Sequence, residues 1–396
     1  MKVLLIGQLP KEIGGNYTTG AANVVFELSK QHATEVVYYT FGTNISSSAA
    51  SKASAYPNQY IGYRFKPFRI LFNSFIHPLK TLHHWLHYHK VDHQSILRYA
   101  FYEDCIREAI KITQPDIIHV NSIDNVSPVR FALENNRIPI LLTCHGIFYR
   151  GDVSDVIKRD RALGNIGLAD AYSGLTQESL EEFESILGVA KERVTIIPNG
   201  VDCKKFYYSP DERLNLRKEL DVNDGCVVFT TVASVQGRKG QLSFVKLLEK
   251  TTLDYQYWII GGGPDVPIIE SYIASHHLEG KVKLLGYKKS SELFKYYSAA
   301  DIYAHVSTME GQALCEIEAS ATGINTIINK KIAGTIPDLS NGNYFIIDLE
   351  NPEVQELCDW VGQKRYDRHS VNSLDWSIIA LKYAKWYNLV LDNWKV

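Results

Sequence analysis

Glu310-Gly-Gln-Ala-Leu-Cys-Glu-Ile-Glu318, continued by Ala319-Ser-Ala-Thr-Gly323, is the stretch on which the reading of this chain turns. The apolar run 302–306 precedes it and reads as a buried strand, and the stretch then becomes a helix. Two carboxylates with seven residues between them thus flank the start of a helix at the carboxyl end of a strand. In open α/β sheets ligands bind at that end of the strands. A helix N-terminus also offers free N–H groups and a positive dipole end, which suit a phosphate. One carboxylate ahead of the helix and one inside it would hold polar groups on either side of that phosphate. A nucleotide sugar has this layout: sugar, diphosphate, ribose. A plainer reading, a helix with an acidic first turn and a solvent-facing glutamate, fits the stretch alone as well.

Outward from that stretch, strand-like and helix-like segments alternate almost throughout, which predicts α/β architecture with parallel sheets. In the first half strands are expected at 2–6, 35–40, 116–120, 138–143, 171–175 and 194–197, with helices such as 21–31, 95–112 and 178–187 between them. The second half restarts the pattern with strands at 227–233, 257–261, 282–285, 302–306, 326–328 and 344–347. Its expected helices are 241–250, 266–276, 291–299 and 313–322. The seam falls at Ile196-Ile-Pro-Asn-Gly-Val-Asp202, where Pro, Asn and Gly break regular structure. The segment after it, to about 223, is charged and polar. The expected organisation is a Rossmann-like domain over 1–200, a second over 201–375, a deep cleft between them, and a final helix over 376–396. That helix carries Trp376, Ile379, Tyr383, Trp386, Tyr387 and Val390 as a broad apolar stripe, expected to pack back on the first domain.

The 396 residues, 45% apolar and 22% charged, are those of a soluble globular protein with room for two domains. A net charge of −2 gives no global attraction to nucleic acid. The start, Met1-Lys-Val-Leu-Leu-Ile-Gly7, reads as a first strand and not as a signal peptide. No apolar run is long enough for a transmembrane helix. Six scattered cysteines without a C-x-x-C pair point to reduced thiols in the cytoplasm and away from structural zinc.

Other motifs lie where a parallel sheet would present ligands. Gly14 and Gly15 follow the first strand, and Thr19-Gly20 opens a helix; glycines there let the backbone approach a ligand, although no G-x-G-x-x-G is present. His145 ends a buried strand, where it would meet a sugar hydroxyl or stabilise charge, while His119, inside its strand, fits a structural role. Ser234-Val-Gln-Gly237-Arg238-Lys239-Gly240 joins glycines and two cations to a helix start; it reads as a diphosphate site without Walker A order, or else as an exposed basic turn. Gly261-Gly-Gly263-Pro264, Gly286 with Tyr287, and the loop from Lys330 to Asp338 lie near the same edge. The segment 63–98 sets Arg64, Lys66, Arg69, Lys80, Lys90 and Arg98 among aromatics and six histidines against Asp92 alone. It suits an anionic membrane face or a lipid-phosphate acceptor, or else is a charged insertion whose aromatics are core.

Together these residues resemble the retaining GT-B glycosyltransferases, most closely glycosyltransferase family 4, over nearly the whole chain. Val194-Thr-Ile-Ile-Pro-Asn-Gly-Val-Asp202 with Phe206 is similar to the family's linker. Leu285-Gly-Tyr and the run to Ala300-Asp301 are similar to its approach to the donor site, and Glu310 and Glu318 match its E-x7-E pair. The resemblance implies that Glu318 binds the donor ribose and that Glu310 meets the donor sugar near its anomeric carbon. It implies that Lys239 neutralises the diphosphate, that His145 contacts the sugar, and that Gly14 and Gly15, or Gly20, lie near the phosphates. Gly311 and the Gln312-Ala313-Leu314 backbone would approach sugar and diphosphate; Gly263 and Tyr287 would line the donor site. Glu310, His145 and Lys239 are the expected catalytic residues. Two departures stand out. Ala233-Ser234 replace the usual Gly-Arg, with Arg238 as an unaligned substitute, and Gln312-Ala313 replace the usual Phe-Gly.

The expected activity is transfer of a sugar from a nucleotide-diphosphate donor to a glycan or lipid-linked glycan acceptor, with anomeric retention, in bacterial surface-polysaccharide synthesis. No cofactor or divalent metal is required by the sequence. The expected location is cytoplasmic, peripheral on the inner membrane face through 63–98. Two other readings stay open: a nucleotide-sugar epimerase on the same fold, and a non-catalytic subunit, to which the Ser234 departure lends weight.

Overall fold

The computed structural model describes residues 1–7, 20–31, 36–43, 59–63, 96–134, 136–145, 164–335, 344–363, 368 and 372–394. Gly14, Gly15, Gly146, residues 64–95 of the basic aromatic segment, and Pro337-Asp338 lie outside them. The chain divides into two compact units, Met1–Ile197 with Ser377–Val396, and Pro198–Trp376.

The first unit holds a seven-stranded sheet: β1 (Lys2–Ile6), β2 (Val37–Thr43), β3 (Gln59–Tyr63), β4 (Ile117–Val120), β5 (Ile140–Thr143), β6 (Ala171–Gly174) and β7 (Val194–Ile196). The order is β3-β2-β1-β4-β5-β6-β7, and every pairing is parallel. Val3-Leu-Leu-Ile6 and Ile140-Leu-Leu142 are continuous apolar runs because a parallel strand between helices is covered on both faces. The helices are α1 (Gly20–Ser29), α2 (Ile96–Thr113), α3 (Val126–Leu133) and α4 (Gln177–Ser185). Ile106 and Ala109 of α2 and Val129 and Leu133 of α3 join Leu4, Ile6, Ile118, Val120 and Leu142 in one core.

His119 alternates with Ile118 and Val120 and so faces the other side of the sheet. One ring nitrogen meets Tyr387 Oη and the other Thr143 Oγ1, each at 2.7 Å, and Thr143 Oγ1 meets Ser173 Oγ at 2.7 Å. Tyr387 belongs to the last helix, Trp376–Trp394, whose Tyr383, Trp386 and Tyr387 are buried. His119 is a structural histidine with both nitrogens engaged.

The second unit holds a six-stranded parallel sheet: β8 (Val227–Val232), β9 (Tyr255–Ile260), β10 (Val282–Gly286), β11 (Ile302–His305), β12 (Asn325–Asn329) and β13 (Tyr344–Ile347). The order is β10-β9-β8-β11-β12-β13. Its helices are α5 (Pro210–Glu219), α6 (Gln241–Leu248), α7 (Val266–Ser275), α8 (Leu293–Ala299), α9 (Leu314–Ala321) and α10 (Val354–Gln363). Phe229 and Tyr257 pack with Phe244 and Leu248 of α6, while Val228, Trp258 and Tyr303 pack with Tyr297 of α8 and Ile317 of α9.

Three elements differ from the sequence expectation: β3, α5 and α10, the last lying beyond the expected helices of the second half. β3, Gln59-Tyr-Ile-Gly-Tyr63, is an edge strand without the apolar run that marks the inner ones. The charged stretch after the seam contains α5. Ser209 Oγ accepts from Glu212 N at 3.3 Å as its N-cap, Pro210 starts it, and Leu216 is its buried residue. The helix is held by charge: Arg213 and Arg217 reach Asp301 and the carbonyls that end α8. Such a helix shows no apolar stripe for periodicity to detect.

Candidate active site

In both sheets strand order reverses once, between β1 and β4 and between β8 and β11. At such a switch point the loops leaving adjacent strands diverge and open a crevice for ligands. In the second unit those loops are Ala233–Gly240, after β8, and 306–313, after β11.

The two loops are laced together. Thr308 N donates to Arg238 O at 2.8 Å, and Arg238 Nη1 donates to Met309 O at 3.1 Å. Gly240 makes the approach feasible: its φ is +73°, and a Cβ there would lie 2.1 Å from Val306 O. Lys239, in the single turn Gly237–Lys239, is buried, and its Nζ donates to Glu310 Oε1. Arg238 Nη1 lies 3.6 Å from the same oxygen. Burial works against the Glu310 carboxylate, but Lys239, His305 and the Ser307 hydroxyl outweigh it and hold the carboxyl below its ordinary range.

Glu310 stands ahead of α9. Ala313 is the N-cap, in extended conformation, and brings no capping side chain to the first-turn N–H groups. An anion at that end would supply the missing acceptor. Glu318 is half-buried on α9, where Tyr297 Oη donates to its Oε2 at 3.3 Å. Gln312, buried, accepts the backbone N–H of Asn199 on Oε1 at 2.6 Å, and its carbonyl accepts Asn199 Nδ2 at 3.3 Å.

Lys239, Arg238 and Glu310 are therefore brought together, with Gly311, Gln312, Ala313 and Leu314 on the path into α9. Ser234 is exposed; its hydroxyl accepts from Gln236 Nε2 and its carbonyl from Gln241 Nε2, both at 2.9 Å. It shapes the loop and brings no cation to it. Gly263 is a glycine for packing: a Cβ would meet Val235 O at 2.1 Å. Tyr287 is 78% exposed just past β10. His145, in the first unit, follows β5 and meets Asn121 Oδ1 at 3.3 Å. Burial lowers its pKa to about 4, so the ring is neutral at physiological pH.

Three residues went unread in the sequence. Glu316 lies on the buried face of α9; burial raises its pKa to about 7 against the opposing effect of hydrogen bonds from Ser320 Oγ and Tyr344 Oη. His305 ends β11 with its pKa lowered to about 4, mainly by burial. Asn199 is the third. Nothing local in the sequence marks any of the three as part of the site.

Two family models cover most of the chain: Glycosyltransferase Family 4 matches residues 18–205, and Glycosyl transferases group 1 matches 212–356. The chain belongs to this glycosyltransferase family. Among curated relatives, the Acholeplasma laidlawii alpha-monoglucosyldiacylglycerol synthase is 30% identical over 250 residues, 58% of this chain and 63% of that protein. The Escherichia coli UDP-Gal:alpha-D-GlcNAc-diphosphoundecaprenol alpha-1,3-galactosyltransferase is 25% identical over 252 residues, 61% of this chain and 65% of that protein. The matched part is thus less than two thirds of either relative's length. Anabaena HepE, solved in complex with UDP, superposes with a TM-score of 0.69 at 16% identity over 99% of this chain and 98% of that one. That likeness establishes the fold, and the two doubly wound sheets of this glycosyltransferase family member are those of GT-B proteins.

Proposed function

We propose that this chain transfers a sugar, with retention of anomeric configuration, from a nucleoside-diphosphate sugar to a lipid-linked glycan or glycolipid acceptor. The observation that carries the reading is the Lys239–Glu310 pair at the β8/β11 switch point, beside the N-terminus of α9 that lacks a side-chain cap. The leaving group concentrates negative charge on a diphosphate. Lys239, Arg238 and the first-turn N–H groups of α9 are preorganised to receive it. Glu310 is then released to the sugar hydroxyls, and Glu318 takes the ribose. The bond from the anomeric carbon to the diphosphate oxygen breaks. The acceptor hydroxyl bonds to that carbon on the same face and gives its proton to the departing phosphate oxygen. In this reading cationic side chains and N–H groups carry the charge, so no divalent metal is needed.

The acceptor class is supported by what the two relatives' names state, a diacylglycerol glycolipid and a diphosphoundecaprenol-linked sugar. We infer a role in surface-polysaccharide or glycolipid synthesis at the inner face of the cytoplasmic membrane. No helix among the described residues is long and apolar enough to cross a membrane, and the basic segment 63–98 is assigned to the membrane surface. Sedimentation with anionic vesicles tests that contact, and absence of binding at low salt would count against it.

The decisive experiment incubates the protein with UDP- and GDP-sugars, with and without lipid-linked acceptors. Nucleoside diphosphate release together with a glycosylated lipid is the expected result. A new sugar epimer would instead identify an epimerase. Failure to bind any donor would leave the non-catalytic subunit, the reading to which exposed Ser234, in place of a cation, lends weight.

A further inference from the structure

Gln312 occupies the place where the resembling family carries phenylalanine. Its side chain spans 113 positions to the second residue of its own unit, Asn199. The orientation of both carboxamides follows from their main-chain partners. Asn199 N–H can meet only an acceptor, so Gln312 must turn Oε1 toward it, at 2.6 Å. Gln312 C=O can meet only a donor, so Asn199 must turn Nδ2 toward it, at 3.3 Å. What remains is Gln312 Nε2, a donor, and Asn199 Oδ1, an acceptor. Both are shut from solvent and without a partner among the described residues. Gln312 is 8% exposed and Asn199 3%.

An arrangement kept for stability alone would pair those atoms or replace them with apolar groups of the same shape, because orphaned buried polar atoms are costly. What the two bonds supply is position. They fix the backbone between Glu310 and the start of α9 at its midpoint. The diphosphate side of the site is held separately, by the Arg238 contacts to Thr308 and Met309.

We propose that Gln312 is a positioning residue for the donor sugar, clamping the Glu310–Ala313 loop to Asn199 so that Glu310 meets the sugar in one geometry. The proposal rests on the nucleotide-sugar reading above. It ties recognition of the sugar, and not of the diphosphate, to the clamp.

The test uses Gln312→Met, which keeps side-chain length and removes both the clamp acceptor and the orphaned donor. Calorimetric affinities are measured for UDP-glucose, UDP-galactose and GDP-mannose and for UDP and GDP alone. The expected result is a loss of about tenfold in nucleotide-sugar affinity, with nucleoside diphosphate affinity changed by less than about threefold. The melting temperature should fall by no more than a few degrees, since an orphaned group is removed with the bond. An unchanged ratio of sugar-nucleotide to nucleotide affinity would overturn the proposal, as would equal weakening of both. Should Gln312→Met fail to fold, Asn199→Ala gives the same ratio test. It keeps the main-chain N–H to Gln312 Oε1 and deletes only the second bond, with a loss of about threefold expected. If the wild-type protein binds UDP or GDP but no better with a sugar attached, the clamp proposal fails while nucleotide binding stands. If it binds neither, the functional reading fails with it.

Discussion

Lys239 and Glu310 lie 71 positions apart and meet as an ion pair, with side chains only 10% and 9% exposed. Two elements bring them there: a glycine turn that lets the β8 loop touch Val306, and the β11 loop that precedes α9. In this structure Lys239 is the nearest charge to Glu310, with Arg238 Nη1 3.6 Å from the same oxygen. In the proposed reaction a donor diphosphate would compete for Lys239 and free Glu310.

Removing Lys239 should therefore have two separable effects. Turnover in Lys239→Ala is expected to fall by orders of magnitude, because the leaving-group charge loses its principal cation. Stability should fall by up to about 3 kcal/mol, the typical cost when a buried charge loses its partner, with Arg238 left as the remaining cation beside Glu310. Adding Glu310→Gln should recover most of that stability and none of the turnover. Urea unfolding and donor hydrolysis on the two variants separate the effects, and turnover like wild type in Lys239→Ala would remove charge stabilisation from the mechanism. The acid limb adds a check. The folded pKa of Glu310 is depressed, so its contribution is present above the unfolded value and is lost as pH falls through the folded one.

Glu316 behaves in the opposite sense. Its folded pKa is raised to about 7 by burial. Between the unfolded value of 4.5 and 7 the folded protein binds the extra proton, so stability declines as pH rises through that window. Above it the cost of a buried carboxylate is fully present. Glu316→Gln keeps an acceptor for Ser320 and Tyr344 and removes the ionisation. It should stabilise the protein at pH 8 by up to about 3 kcal/mol, with the gain fading toward pH 4.5. A gain independent of pH would show that Glu316 does not titrate in this range.

These residues also mark how far the sequence could be read. The inner strands were legible because a strand buried on both faces must be apolar at every position, as Val3 to Ile6 and Ile140 to Leu142 are. Lys239 and Glu310 stood out as candidates because glycine next to cation, and carboxylate before helix, are local patterns. The helix Pro210–Glu219 was not, since its arginines bind carbonyls and Asp301 where an apolar stripe would otherwise do so. Glu316 carries the same letter as solvent-facing Glu residues, and only the packing of α9 against the sheet distinguishes it. The Gln312–Asn199 clamp depends on a contact across 113 positions, for which no local signal exists.

The histidine inside β4 makes a structural prediction for the first unit. Tyr387→Phe deletes the partner of one His119 ring nitrogen and leaves the ring fully buried. The expected cost is about 1–3 kcal/mol, the penalty for an unsatisfied buried polar group. Tyr387 also lies edge-on to Tyr38 at 6.4 Å between ring centroids, a contact that phenylalanine keeps. A loss much below this range in urea would mean that the hydroxyl is not an essential partner of the ring.

Glu318 carries the assignment most directly testable with nucleotides alone. A carboxylate set against a ribose diol should discriminate against analogues that lack a hydroxyl, because its acceptor would then go unpaired. The preferred ribonucleoside diphosphate, UDP or GDP, is expected to bind about tenfold more tightly than its 2′-deoxy form, a difference of about 1.4 kcal/mol. Glu318→Ala should weaken the ribonucleotide and bring the two affinities together. Tyr297 Oη also donates to Cys315 O, at 3.2 Å, so it keeps an acceptor when the carboxylate is removed. The variant is accordingly expected to fold. Titration calorimetry on four combinations, two proteins and two nucleotides, gives the coupling between the carboxylate and the hydroxyl. A 2′-deoxy penalty that persists undiminished in Glu318→Ala would assign the ribose to another residue and leave the second glutamate of the pair as a helix surface charge.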